Sequence, residues 1–324
     1  MSTREASHAG SWYTADGKKL DSELSGFLAA VHPNKEFSPP VKGCKAIIAP
    51  HAGYSYSGPA AAWAYKSIDT TGIKRVFILG PSHHVYLDGC ALSKCKEYET
   101  PLGNLPLDLD TINELRETGN FTDMSIETDE DEHSIEMHIP YVRKIFQNLD
   151  IKIIPILVGA INKDKENIFG SLLAPYFERE DTLCVVSSDF CHWGTRFQYT
   201  LYYPHPAPSS TPAIRLSRSN TSPATLDKHP IYESISELDH EAMELMTLPP
   251  ATACAAHHDF SEYLSRTRNT ICGRHPIGVL LGALTVLEKE GKPAKLQWVR
   301  YEQSSKCKTL NDSSVSYASA CITF

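Results

Sequence analysis

IKIIPILV, at residues 151–158, is an almost continuously apolar run, and a second run, LCVV at 183–186, follows a stretch of helical composition at 163–177. Apolar runs that lack alternating polar residues indicate strands covered on both faces, as in a largely parallel sheet. Two earlier runs, KAIIA at 45–49 and RVFIL at 75–79, have the same character. Strands separated by helical stretches predict the α/β class, with a largely parallel or mixed central sheet flanked by helices.

The rest of the chain extends this arrangement. A helical stretch at 133–147 precedes the first quoted run, and an apolar helix is predicted at 277–290. The alternating runs at 295–302 and 314–322 indicate strands that complete the sheet. We find no internal repeat and predict one domain over residues 1–324.

One segment departs from this pattern in its composition. Residues 204–225 contain five Pro, five Ser and three Thr in 22 positions and no acidic group. Such a composition buries too little apolar surface to offset the entropy lost on ordering. We therefore predict a mobile insertion within the domain at 204–225.

Composition argues against several classes of protein. The chain has 31 Lys and Arg against 39 Asp and Glu and no long basic stretch, which disfavours a nucleic-acid partner. The most apolar stretch, 276–287, is shorter than the roughly 18 residues that a membrane span requires, and the first residues form no apolar signal core. Nine cysteines without C-x-x-C spacing disfavour a disulfide framework or a structural zinc cluster. These features predict a cytoplasmic protein without membrane insertion.

Polar side chains follow three of the predicted strands. His51 comes after the first strand, His83 after the second, and Asp189 and His192 after the fourth. Because ligands of open α/β sheets bind beyond the carboxyl ends of the strands, we expect these side chains to meet. A single histidine at such a place is more often structural, but histidines at three strand ends favour a functional site.

Cys272 is a further contributor. It precedes a predicted helix with Pro276 in its first turn, and the helix dipole and Arg274 both favour a thiolate there. The alternative is a small thiol buried under the helix. Two imidazoles and a thiolate form a three-ligand set with an open position, which suits copper, iron or zinc, and the thiolate favours soft or redox-active metals. His192 is then left as an acid/base, with Asp189 orienting an imidazole or capping the turn after its strand.

A dense acidic cluster, EDEHSIEMH at 130–138, also offers metal ligands. An acidic first turn of a helix explains most of it, because carboxylates stabilise a helix N-terminus. Within the cluster, His133 and Glu136 are candidates for a pocket wall. Nearer the start of the chain, Trp12 and Tyr13 either edge a cleft or cover the core.

Dispersed motifs make the sequence resemble one known family, the Memo family of mediators of ErbB-driven cell motility. The resemblance covers nearly the whole chain and is carried by the segments 4–14, 46–54, 77–85, 128–138, 187–194, 269–278 and 312–318. It implies a fold similar to that of class III extradiol ring-cleaving dioxygenases, in which two His and a Glu hold ferrous iron and a further His is the acid/base. By this resemblance, His51, His83 and Cys272 are the ligands of a copper or iron ion. His192 is then the former acid/base, with Asp189 beside it.

The resemblance implies a cytosolic and nuclear protein that binds copper or iron, supports superoxide formation, and in animals docks phosphotyrosine peptides at the same cleft. Three functions follow, in order of preference. The first is a metal-binding redox protein that reduces dioxygen to superoxide and acts in cell signalling. The second is a non-enzymatic adaptor that binds a phosphotyrosine peptide of a signalling partner through imidazoles and Arg196. The third is an intact extradiol dioxygenase, which Cys272 disfavours because it stands where a ring-cleaving enzyme has its Glu.

Overall fold

The computed structural model describes residues 2–206, 212–221 and 223–324 of the chain. The strands in these residues are β1 Thr3–Arg4, β2 Cys44–Ala49, β3 Arg75–Pro81, β4 Cys90–Leu92, β5 Glu97–Tyr98, β6 Leu105–Pro106, β7 Phe121–Asp123, β8 Lys152–Val158, β9 Thr182–Ser187, β10 His192–Trp193, β11 Leu201–Tyr202, β12 Ile214–Arg215, β13 Lys295–Gln303 and β14 Ser314–Thr323. The helices are α1 Gly17–Ala29, α2 Tyr54–Lys66, α3 Leu109–Glu117, α4 Ile126–Asp131, α5 His133–Glu136, α6 Ile139–Ile145, α7 Lys163–Glu178, α8 Pro223–Lys228, α9 Ile231–Met246, α10 Ala253–Thr267 and α11 Arg274–Lys289.

A large mixed sheet forms the centre of the molecule. Its strands lie in the order β10-β14-β2-β9-β3-β8-β4-β7, with β13 paired to β14. The four central strands, β2, β9, β3 and β8, are parallel, whereas β14 runs antiparallel to β2 and β4 antiparallel to β8. The predicted α/β class, with a largely parallel or mixed sheet flanked by helices, is confirmed.

Helices cover both faces of this sheet. Helix α2 connects β2 to β3, and helix α7 connects β8 to β9. These two crossovers run in opposite directions across the strand order. Because such crossovers are right-handed, α2 and α7 lie on opposite faces. In agreement, α2 packs on β2, β13 and β14, whereas α7 packs on β9 and α11 on β3 and β9. Every residue of β9 is buried, as its unbroken apolar sequence predicted.

The most apolar segment of the chain is a buried helix. Nearly all residues between 276 and 287 are buried in α11, which packs along α7. Among the residues that the structure describes, no helix has the combination of length and apolarity needed to cross a bilayer.

Helices α7 and α11 approach so closely that glycine is required at contact positions such as Gly170. A Cβ added at Gly170 would lie 2.5 Å from the backbone nitrogen of Ala283. We expect Gly170→Ala to lower the free energy of unfolding, measured in urea, by about 1–3 kcal/mol, because the backbone must shift. Gly26 on α1 has nothing within 4 Å of such a Cβ. Gly26→Ala is the matched control and should not lower the free energy of unfolding. Equal losses of that free energy in both variants would refute the close packing.

The helix predicted at 133–147 is two short helices, α5 and α6. Pro140 lies in the first turn of α6 and has no N–H to donate to the carbonyl of Glu136, four residues earlier, which favours a new helix start over a continuation of α5. The break separates α5 from α6.

Gly80, at the end of β3, brings α5 to the sheet. A Cβ at Gly80 would lie 2.6 Å from Oγ of Ser134 and 2.6 Å from Cγ1 of Ile135. The absence of a side chain therefore lets α5 pack directly on β3. His133, the first residue of α5, consequently lies beside the carboxyl end of the sheet.

The segment predicted as a mobile insertion, 204–225, is described in part. Residues 207–211 and residue 222 lie outside the described residues. In the described part, β12 pairs antiparallel with β11, and Leu216 is buried. A single domain with a mobile insertion stays a prediction.

Candidate metal centre

The parallel strands bring the predicted site residues to one edge of the sheet. The strands β2, β9 and β3 are neighbours, and each is followed two residues later by a polar side chain. These side chains are His51 after β2, Asp189 after β9 and His83 after β3. Because parallel strands end at the same edge, residues far apart in the chain become neighbours there.

The three predicted metal ligands lie together at this edge. His51, His83 and Cys272 each offer one ligand atom, and these three atoms lie within 4.8 Å of one another. Cys272 precedes the N-cap glycine of α11. Its Sγ atom is 3.2 Å from Nε2 of His51. The rings of His51 and His83 meet edge to face, with centroids 5.2 Å apart. This spacing places the three side chains within reach of a single ion.

Hydrogen bonds orient both imidazoles. The Ser187 hydroxyl donates to the carbonyl of Ser134, so its oxygen accepts from Nδ1–H of His51, 2.6 Å away. Glu132 accepts from both Nδ1–H and the backbone N–H of His83, at 2.8 and 2.7 Å. In each ring Nδ1 carries the proton, which leaves Nε2 with its lone pair. Metal-binding histidines are held in this way, so the residues present fit a metal ion.

Burial favours the uncharged forms of His51 and Cys272 when no cation is bound. Burial lowers the pKa of His51 well below its ordinary value. Burial also raises the pKa of the Cys272 thiol, and the neighbouring Asp189 adds to the rise. Our expectation that the helix and Arg274 favour a thiolate therefore does not hold for the metal-free protein, where desolvation outweighs them. A bound cation is what would displace the thiol proton.

Glu132 is a site residue that the sequence analysis missed. It is buried, and burial alone would raise its pKa, but the hydrogen bonds from His83 and Ser134 lower the pKa to about 2. With His83 and His133 it forms a second group whose ligand atoms lie within 4.8 Å of one another. The ring of His133 stacks on that of His83 at 4.4 Å. Burial and His83 lower the pKa of His133 to about 3.

The prediction that the acidic cluster at 130–138 forms the first turn of a helix, with His133 and Glu136 in a pocket wall, was only partly correct. The first acidic residues of the cluster end α4 rather than begin a helix, and Glu132 has an extended backbone that separates α4 from α5. His133 lines the cleft, as predicted. Glu136 instead lies beneath it, 2.5 Å from Nη1 of Arg4 and 2.7 Å from the hydroxyl of Tyr13. Trp12 edges the cleft, with its ring centroid 4.4 Å from that of His133.

His192 and Asp189 occupy different positions within the site. Nδ1–H of His192 donates to the carbonyls of Phe190 and Thr270, at 2.9 and 3.2 Å, so Nε2 is the atom able to accept a proton. The buried Asp189 carboxylate accepts the backbone N–H of His51 at 2.8 Å. Burial raises the pKa of Asp189. Asp189 thus holds the His51 backbone, while backbone carbonyls hold the His192 ring.

An open cleft, which we call the strand-end cleft, is lined by His51, His83, His133, Asp189 and His192. Its volume is about 680 Å³, within the range of small-molecule sites. Arg196 and Phe197 line one side, and four serines line another: Ser304, Ser305, Ser313 and Ser314. Trp12 and Tyr56 at the rim are 37% and 61% exposed. The cleft therefore joins a metal-ligand set to a polar wall and an exposed aromatic rim.

Comparisons with known proteins agree with the sequence motifs. The family model described as Memo-like protein matches residues 4–321. The chain is 47% identical over 323 residues to the proteins named MEMO1 of Homo sapiens and Mus musculus, which covers 99% of this chain and 97% of each relative. It is 40% identical over 322 residues to the memo-1 homolog of Caenorhabditis elegans, which covers 98% of this chain and 81% of that protein. The chain belongs to the Memo family.

Proposed function

We propose that this protein is a metal-binding redox protein that holds copper or iron between His51, His83 and Cys272 and reduces dioxygen to superoxide in cell signalling. The observation that carries the proposal is the convergence of three ligand atoms within 4.8 Å. The orientation of each imidazole by Ser187 or Glu132 supports it. A copper or iron ion held by His51, His83 and Cys272 would supply one-electron chemistry between an external reductant and dioxygen.

The kind of ligand favours a redox-active metal. A thiol with two imidazoles suits copper or iron, whereas calcium and magnesium prefer oxygen ligands. The same thiol disfavours ring cleavage, since Cys272 replaces the carboxylate that a 2-His-1-carboxylate iron site needs.

The surrounding side chains define what the protein itself contributes. His51 and Asp189 are buried and exclude water from the inner wall of the site. His83 is partly open to the cleft, which leaves a path for a molecule as small as dioxygen. Nε2 of His192 is free to deliver or take up a proton in the cleft, because backbone carbonyls hold Nδ1–H.

Superoxide release in air tests the proposal. The protein is equilibrated with copper in a chelator buffer that fixes free copper, ascorbate is added, and cytochrome c reduction that superoxide dismutase suppresses is measured. We expect the parent and His84→Ala to produce superoxide well above the buffer alone and His51→Ala to fall to the level of the buffer. Equal rates for the parent and His51→Ala would contradict the proposal.

A second function, binding of a phosphotyrosine peptide, is favoured by Arg196. Its guanidinium lies over the ring of Phe197 at 4.8 Å, and both residues line the strand-end cleft together with several serines. Arginine and hydroxyl donors suit a phosphate group, and the exposed aromatic rim suits a peptide. Titrating metal-free protein with a phosphotyrosine peptide and its unphosphorylated form distinguishes the two functions. An adaptor binds only the phosphorylated form, and Arg196→Gln weakens that binding.

A further inference from the structure

A second cleft lies apart from the strand-end cleft, between α7, α10 and the start of α11. Its volume is about 650 Å³, and we call it the helix cleft. Its lining includes three cationic residues, Lys163, Arg268 and Arg274. Neither the predicted metal ligands nor the proposed redox chemistry uses it.

The three cations have no carboxylate partner within the part of the chain that the structure describes. Lys163 Nζ lies 3.1 Å from Nδ1 of His258, and Arg274 contacts the carbonyl of Ile271 at 3.4 Å. The chain as a whole has 39 acidic against 31 basic residues. Three unpaired cations around one cleft therefore create a local positive potential on an acidic protein.

The carboxylate in the lining of the helix cleft is already engaged. Glu166 is buried, and its two oxygens bind His257 Nε2 at 2.6 Å and His275 Nδ1 at 2.7 Å. A Cβ at Gly278 would lie 2.3 Å from the carboxyl carbon of Glu166, so glycine makes room for this arrangement. Glu166 thus forms no ion pair with the three cations, and its single negative charge is outnumbered by their three positive charges.

A buried imidazole also belongs to this lining. His257 is 2% exposed, and its Nε2 is held by Glu166. His257 lines the helix cleft together with the apolar side chains of Phe260 and Leu264. The lining therefore combines charged donors with an apolar surface, which is the usual composition of a ligand site.

We propose that the helix cleft binds a small organic anion. Its phosphate or carboxylate groups are held by Lys163, Arg268 and Arg274, and its apolar part rests on Phe260 and Leu264. Arginine is suited to both kinds of group because its guanidinium donates two parallel hydrogen bonds.

Isothermal titration calorimetry of the full metal-free chain tests this, with inorganic pyrophosphate as the phosphate probe and citrate as the carboxylate probe. We expect at least one probe to bind, and the tighter one identifies the group recognised. The double variant Arg268→Gln/Arg274→Gln should weaken that probe by at least about tenfold, as expected for lost charged hydrogen bonds. Lys94→Gln/Lys289→Gln removes the same charge outside the cleft and should change the affinity less than about twofold.

Three results would overturn the proposal. The first is no binding of either probe up to about 10 mM. The second is an equal loss in the control variant, which would indicate general charge attraction. The third is loss of binding in Arg196→Gln with none in the Arg268/Arg274 variant, which would place the anion in the strand-end cleft. The double variant Arg268→Lys/Arg274→Lys, which keeps the charge, should retain intermediate affinity, and circular dichroism of each variant checks that it is folded.

Discussion

His51→Ala should lower the affinity for copper and for ferrous iron by well over about a hundredfold, and His83→Ala and Cys272→Ser should do the same. Each substitution removes one of three ligand atoms that lie within 4.8 Å of one another. Losing a residue that only orients a ligand costs about 10–100-fold, so losing the ligand itself should cost more. Ser187→Ala and Glu132→Gln, which leave the ligand atoms in place, should fall within that smaller range.

Competition with a chelator of known affinity measures these losses in protein purified without added metal. His84→Ala is the matched control, because His84 is an exposed imidazole next to His83 that belongs to neither group of candidate ligands. It should keep nearly the parent affinity. If the three ligand variants retain stoichiometric metal under the same competition, the assignment of the site is wrong.

Arg4→Met should lower the free energy of unfolding by about 3–5 kcal/mol, because it leaves buried negative charge without a partner. Arg4 is 1% exposed, and its Nη1 lies 2.5 Å from the carboxylate of Glu136. Its Nη2 donates to the carbonyls of Asp129 and Glu132, at 2.9 and 3.1 Å. This side chain therefore also anchors the segment from which Glu132 reaches His83.

Urea unfolding followed by circular dichroism checks the prediction. Arg116→Met is the control, since Arg116 forms an ion pair with Asp123 at 2.8 Å in which both side chains are about a third or more exposed. Exposed pairs contribute about 0–1 kcal/mol, so this variant should remain close to the parent. Similar losses in the two variants would contradict the structural role of Arg4.

The sheet and the three candidate ligands could be predicted from the sequence for one physical reason. Unbroken apolar runs mark buried parallel strands, and parallel strands deliver the residues that follow them to a common edge. That rule places His51 and His83 at the common edge, and the family resemblance selects them as ligands over the other polar residues there. Cys272 needed the additional signal of a helix start at Arg274, with proline in its first turn.

The residues that support the ligands could not be predicted in the same way. Glu132 belongs to an acidic run whose buried and exposed members look alike in sequence, and its role depends on contact with His83, 49 positions away. Ser187 is the last residue of β9 and shows no sign of its hydrogen bond to His51. Pro140 was not a sufficient signal of a break, since Pro175 lies inside α7 without ending that helix.

X-ray absorption at the copper edge of the copper-loaded protein tests the central claim most directly. We predict one sulfur neighbour at about 2.3 Å and two nitrogen neighbours at about 2.0 Å, by analogy with metal–thiolate and metal–imidazole lengths at zinc sites. The sulfur neighbour should disappear in Cys272→Ser. A spectrum with nitrogen and oxygen neighbours alone, or one whose sulfur signal persists in Cys272→Ser, would contradict a site built from His51, His83 and Cys272.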